Sequence, residues 1–147
     1  MKLFNSKGER IFYLIYTTIM LLLYLGFVGV ENHRITTGTA NGSGAISEEE
    51  GQAIAQIGAW SQNLELIFLG LFIIVMIVMY FRAFKNKEVI KLFLVMNTVL
   101  FAGIIVLSLL LLLLTSVPFG NLIQPLFFPV LLMLIFLPFV KMMKVEK

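Results

Sequence analysis

The chain of 147 residues contains no cysteine and no aspartate, and His33 is its only histidine. Without cysteine it can form neither disulfides nor thiolate metal sites, and it has no cysteine nucleophile. No serine has the aspartate and histidine partners of a catalytic triad, and neither a phosphate-binding loop nor an HExxH zinc motif occurs. We therefore expect a protein that is not an enzyme and that has no cofactor and no metal site.

Charged side chains are also scarce. They make up 13% of the chain, while 60% of the residues are hydrophobic; soluble domains have about 25% charged and about 45–50% apolar residues. Such a chain has too little polar surface to cover itself in water. The composition excludes a soluble globular protein, a disordered chain and a nucleic-acid-binding protein. It predicts one integral membrane domain over residues 1–147, with the lipid bilayer as its surroundings.

Uncharged runs predict four membrane-spanning helices. Residues 11–30 form a run of 20 residues, which as a helix would cover about 30 Å, the thickness of the hydrocarbon core. Residues 92–140 contain no charge and are too long for one span, so they must turn back near Pro118 and Gly120. The runs lack the alternation of a membrane barrel. We predict an all-α four-transmembrane-helix bundle with spans at about 11–30, 64–84, 89–114 and 121–140.

The basic residues predict the orientation of this bundle, because lysine and arginine near span ends are retained on the cytoplasmic side. Ten of the eleven lie on one side of the predicted spans: Lys2, Lys7, Arg10, Arg82, Lys85, Lys87, Lys91, Lys141, Lys144 and Lys147. The other side contains only Arg34. We expect both termini in the cytoplasm and an outer loop at 31–63. The abundance of Phe, Ile, Lys and Met is compatible with a bacterial plasma membrane.

The outer loop has two dissimilar halves. Residues 36–45 are rich in Gly, Ser, Thr and Asn and predict a mobile linker. Ser47 and Glu50 have the spacing of a capping box, which indicates the start of a helix. An apolar stripe that includes Trp60, a candidate interfacial anchor, follows. The pattern predicts an amphipathic outer helix before span two, which either lies on the membrane surface or continues into the span.

Few polar side chains lie within the predicted spans. Asn97 and Ser108 fall on one face of span three, where they would hydrogen-bond to neighbouring helices or line a solute pathway. The hydroxyl of Tyr24 lies deep enough in span one to need a protein partner. Glu65 lies at the outer edge of span two and is the ionisable residue nearest to the apolar interior.

The start of span four is the best candidate for a site. Asn121 is expected to cap the helix, Gln124 follows one turn later, and Pro129 should bend the helix because it removes a backbone hydrogen bond. These residues face the outer leaflet, where residues 48–63 would also approach. The alternative is a kinked helix that only packs against its neighbours.

No motif in the chain indicates a family, and two classes of function remain open. The first is an accessory, regulatory or immunity-type interaction subunit of a larger membrane complex, which needs only packing surfaces. The second is a small homo-oligomeric transporter or channel, which needs polar groups along a pathway. The expected protein partner is therefore another membrane protein or further copies of the chain.

Overall fold

The computed structural model describes residues 7–40, 47–83 and 88–142, and every regular element in these ranges is helical. The all-α prediction is confirmed for them. Four helical stretches are long and apolar enough to cross a membrane. The elements are α1 (Lys7–Ala40), α2 (Glu48–Ala83), α3 (Glu88–Leu114), α4 (Phe119–Ile123), a 3₁₀ turn (Gln124–Leu126) and α5 (Phe127–Met142).

Helices α1 and α2 form a long antiparallel pair, which is the most extensive helix contact in the bundle. A Cβ atom added at Gly26 would lie 3.9 Å from Leu64 Cδ1, and one added at Gly38 would lie 3.9 Å from Ile54 Cδ1. As the residue number rises along α1, the number of its neighbour on α2 falls. The two helices therefore stay paired well beyond the apolar run that ends at residue 30.

The remaining long helices complete an up-and-down bundle. Helix α3 runs parallel to α1, since Tyr16 contacts Asn97 and Tyr24 contacts Ser108. Helix α5 runs parallel to α2, because the rings of Tyr80 and Phe136 meet with centroids 5.7 Å apart toward the far end of both helices. The basic residues at the start of α1 and the end of α2 consequently lie at one end of the bundle. We call the opposite end the hairpin end.

Large side chains at helical spacing form the core between α1, α2 and α3. On α1 they recur every three or four residues, which places them on one face: Tyr13, Tyr16, Met20, Tyr24 and Phe27. On α2, Phe72 is fully buried and packs between Phe93 and Phe101 of α3, with ring centroids 5.8 and 5.7 Å away. The outward faces carry exposed leucine, isoleucine and valine, which is the pattern of a bundle surrounded by lipid.

The predicted outer loop at 31–63 is helical over 31–40 and 48–63, and only the second of these helical parts was predicted. Helix α1 has 34 residues and α2 has 36, so each is about 50 Å long. We call residues 32–40 and 48–60 the projecting hairpin. The linker prediction for 36–45 is wrong over 36–40, which are helical, and its remainder lies outside the described residues. Packing of α1 against α2 outweighs the weak helix propensity of glycine and threonine.

The outer helix before span two is present, and it is continuous with that span rather than a separate surface helix. It begins with the predicted capping box. The backbone N–H of Glu50 donates to Ser47 Oγ at 3.3 Å, and the N–H of Ser47 donates to Glu50 Oε2 at 3.0 Å. Both bonds satisfy donors that would otherwise be free at a helix start.

The fourth span begins earlier than predicted and is interrupted. Pro118, in an extended conformation, precedes the first residue of α4, and the backbone N–H of Asn121 donates to its carbonyl at 3.0 Å. Asn121 therefore lies inside the helix, and its predicted capping role is wrong. A 3₁₀ turn then separates α4 from α5. Pro125 lies within that turn and Pro129 in the first turn of α5, and neither has a backbone N–H to continue an α-helical ladder.

Candidate functional site

A polar cluster at the hairpin end joins three helices around Glu31, which is only 3% exposed. Arg34, one turn along α1, donates to both carboxylate oxygens, through Nε at 3.0 Å and through Nη2. Ser61 Oγ of α2 donates to Oε2 at 3.0 Å, and Asn121 Nδ2 of α4 donates to Oε1 at 2.8 Å. We call these four residues the Glu31 cluster. It connects elements that lie 30 and 90 positions apart in the chain.

The Glu31 cluster is internally satisfied. A carboxylate has about four lone-pair positions, and four donors occupy them here. Arginine is well suited to this role because its guanidinium donates two parallel hydrogen bonds in the plane of a carboxylate. Glu31 therefore acts as an ionised acceptor that holds three helices together, and it has no remaining capacity to hold a ligand.

Two further contacts extend the polar layer at the hairpin end. The backbone N–H of Ser116, in the turn after α3, donates to Asn32 Oδ1 at 2.9 Å. Gln124 Nε2, in the 3₁₀ turn, donates to Glu65 Oε2 of α2 at 2.8 Å, in an exposed position. Side-chain hydrogen bonds at this end thus connect α1, α2, α4, the 3₁₀ turn and the turn after α3.

Two tyrosine hydrogen bonds connect α1 to α3 deep inside the bundle. Tyr16 donates to Asn97 Oδ1 at 2.7 Å, and Asn97 Nδ2 donates to the Phe93 carbonyl of its own helix at 2.9 Å. Tyr24 and Ser108 lie 2.7 Å apart. Because the Ser108 hydroxyl donates its hydrogen to the Ile104 carbonyl at 2.8 Å, Tyr24 is the donor in that pair. The expectation that Tyr24 has a protein partner is confirmed.

These two deep pairs do not join into a polar path. Asn97, Ser108 and Tyr24 are fully buried, and so are Met20 and Ile104, which lie between the pairs. An apolar layer therefore separates one pair from the other along the bundle axis. The geometry matches interhelical hydrogen bonding, the first of the two roles considered for these residues.

The structure brings together some of the candidate residues and separates others. Asn121 and Gln124 both reach the α1–α2 pair, but through different carboxylates, Glu31 and Glu65. Pro129 is buried at the start of α5. Trp60 is 61% exposed and points away from α1, because its neighbour Ser61 occupies the face that packs on α1. The predicted apolar stripe therefore does not match the packed face of α2 at Trp60, because the residue that contacts α1 there is Ser61.

Sequence reasoning missed the central residue of this end. Glu31 is the first charged residue after the apolar run of α1, which suggested an ordinary boundary residue. Arg34 follows at a spacing that brings two side chains together on a helix, and this spacing was the available signal for an ion pair. Nothing in the local sequence indicated that Ser61 and Asn121 would complete the set, since both contacts depend on how the helices pack.

Among the residues that the structure describes, no three or more histidine, aspartate or glutamate side chains are grouped as a metal site would require. No protein family, curated protein or solved structure matches this chain.

Proposed function

We propose that this protein is a four-span membrane protein that acts as an accessory, regulatory or immunity-type subunit of a larger membrane complex. In this proposal the basic end lies in the cytoplasm, with both termini, and the projecting hairpin lies outside a bacterial plasma membrane. The four apolar helical stretches support insertion, and the distribution of basic residues supports the orientation.

The observation that carries the proposal is that the buried polar side chains of α3 are hydrogen-bonded to α1 inside the bundle. Asn97 and Ser108 are both engaged by tyrosines of α1, and an apolar layer separates the two pairs. A transporter of this size needs polar groups along a pathway, and intramembrane ionisable residues are the usual sign of one. The α1–α2 pair instead extends beyond the end of α3, and such a projection offers a surface that another protein can bind.

The projecting hairpin is the proposed recognition element. The capping box stabilises the start of α2 within the hairpin. The Glu31 cluster connects the hairpin to the rest of the bundle. It carries the exposed ring of Trp60, and exposed tryptophan is enriched among residues that dominate binding energy at interfaces. A preorganised projection loses little conformational entropy on binding. We expect the partner to contact this hairpin outside the membrane.

Affinity purification of the tagged full-length chain from its native membrane in mild detergent, followed by native mass determination, tests this proposal. We expect a stoichiometric complex with one other membrane protein. Trp60→Ala should reduce the partner yield at least fivefold. Ile77→Ala is the matched control, because Ile77 is also exposed on α2, at 46%, but lies outside the hairpin. Recovery of the chain alone, or as a homo-oligomer, would contradict the accessory role, and the homo-oligomer would favour the transporter alternative.

A further inference from the structure

A groove between α2 and α5 has a carboxylate at one end and an apolar wall along its length. Its volume is about 320 Å³, and its lining consists of Gln62, Glu65, Leu66, Leu69 and Phe128. Glu65 immediately precedes the uncharged run that begins at residue 66. In the proposed topology, Glu65 therefore lies at the level of the lipid headgroups and the apolar wall lies in the outer leaflet.

Glu65 carries a charge that the described part of the chain leaves unneutralised. Gln124 donates to Oε2, and among the side chains that the structure describes no basic one pairs with this carboxylate. Glu31, at the same end of the bundle, is by contrast saturated by Arg34 and two other donors. The carboxylate oxygens of Glu65 that remain open to hydrogen bonds line the groove. A cation bound there would lie next to lipid.

We propose that this groove binds a phospholipid with a primary ammonium headgroup. A primary ammonium offers three N–H donors, which suit the open positions on Glu65, and charge-assisted bonds of this type are among the stronger ones. The carboxamide of Gln62 lines the same groove, about one turn farther from the apolar wall than Glu65, and its carbonyl oxygen accepts one of the ammonium N–H groups. Leu66, Leu69 and Phe128 form the wall for one acyl chain. The inference rests on the membrane insertion proposed above, but not on the accessory role.

The charge at the end of the groove favours a lipid with a cationic headgroup over an apolar helix of a partner protein, because an apolar helix would cover Glu65 without neutralising it. The groove has a volume of about 320 Å³. It is within the range of about 300–1,000 Å³ that is usual for small-molecule sites, and an acyl chain is much narrower than a helix.

Lipid titration of the purified full-length chain, with bound lipids counted by native mass spectrometry, tests the proposal. The probes are phosphatidylethanolamine, phosphatidylcholine and phosphatidylglycerol with identical acyl chains. We expect phosphatidylethanolamine to bind about tenfold more tightly than phosphatidylcholine, which is about 1.4 kcal/mol, because the trimethylated headgroup has no N–H donor. Phosphatidylglycerol should bind most weakly, since its charge is repelled by Glu65.

Two variants and a control locate the site. Glu65→Gln should bring the two zwitterionic lipids to within twofold of each other, while Glu49→Gln, the same change at an exposed hairpin position, should leave the tenfold preference intact. Phe128→Ala should weaken the binding of all three lipids by the same factor, because it alters only the apolar wall. A wild-type chain without headgroup preference, or a preference that survives Glu65→Gln, would overturn the proposal.

A photo-crosslinker placed at Leu69 in native membranes separates the two possible occupants. Crosslinking to phospholipid supports the lipid assignment, whereas crosslinking to a protein overturns it. The lipid titration uses the chain without any partner, so its failure would leave the accessory role standing. Loss of partner capture together with a normal lipid preference would contradict the accessory role alone.

Discussion

Glu31 and Asn121 lie 90 positions apart in the chain, and a hydrogen bond of 2.8 Å joins their side chains. Glu31 lies on α1, which makes the most extensive helix contact of the bundle with α2. Asn121 lies on α4, the short helix that starts the fourth span. The bond therefore holds α4 against the α1–α2 pair at the level where the hairpin begins to project. It is one of four hydrogen bonds to Glu31, which together connect α1, α2 and α4.

Replacing the buried carboxylate should destabilise the bundle. Glu31→Gln keeps the size of the side chain, but it removes the ion pair with Arg34 and substitutes an N–H₂ group for one acceptor. We expect the free energy of unfolding to fall by about 1–3 kcal/mol, the usual cost of leaving buried hydrogen-bonding groups unmatched. Unfolding in mixed micelles of a mild detergent and dodecyl sulfate measures this. Glu49→Gln is the control. If both variants were equally stable, the Glu31 cluster would not stabilise the contact between the three helices.

The deep tyrosine pairs should show energetic coupling. In a double-mutant cycle, Tyr16→Phe and Asn97→Leu together should cost less than the sum of the single changes, by about 0.5–1.5 kcal/mol, the usual range for hydrogen bonds between membrane helices. A crossed cycle that combines Tyr16→Phe with Ser108→Ala supplies the control, because these residues do not touch. Additive values in the first cycle would show that the hydrogen bond of 2.7 Å contributes nothing to stability.

The start of α2 should become more stable when Gly51 is replaced by alanine. A Cβ atom at this position meets nothing within 4 Å, and alanine is favoured over glycine within helices by about 0.8–1 kcal/mol. Amide hydrogen exchange over residues 48–56 should therefore slow by roughly fourfold to fivefold. Ser47→Ala removes the capping hydroxyl and should accelerate exchange in the same segment. Unchanged exchange in both variants would mean that this end of the hairpin is held by something other than the capping box.

Single introduced cysteines should report the proposed topology, because the natural chain contains none. Glu49→Cys lies in the projecting hairpin, and Glu88→Cys lies at the start of α3, at the basic end of the bundle. In intact cells, a membrane-impermeant maleimide should label the first and not the second. Labelling of the second variant should appear only after the membrane is permeabilised. The reverse pattern would invert the orientation.

Much of the architecture follows from local sequence. The uncharged runs are long enough only for helices that satisfy their own backbone hydrogen bonds in an apolar environment, and the structure contains these helices. The face of α1 that carries Tyr13, Tyr16 and Tyr24 was also predictable, since a period of 3.6 residues places them together. The capping box of Ser47 and Glu50 depends on two residues three positions apart, and it is present as predicted.

Other features depend on packing and could not be derived from the sequence. The continuation of α1 through Gly38 is an example: Ile54 of α2 lies against it, and the hydroxyls of Thr36 and Thr39 donate to carbonyls one turn earlier. A helix that would be marginal alone is stable when a long partner helix covers one side. Asn121, predicted as a helix cap, instead donates to Glu31 of another helix. This contact also depends on how the helices pack.

The sequence by itself therefore determined the four apolar helical stretches and the asymmetry of charge, because these depend on residue type and on local spacing. Only the tertiary structure decided which polar groups meet. Glu31 and Glu65 have similar settings in the sequence, each at the edge of an apolar run. One is enclosed by donors from three helices, and the other faces an open groove, because the antiparallel α1–α2 contact buries Glu31 and leaves Glu65 on the side toward α5.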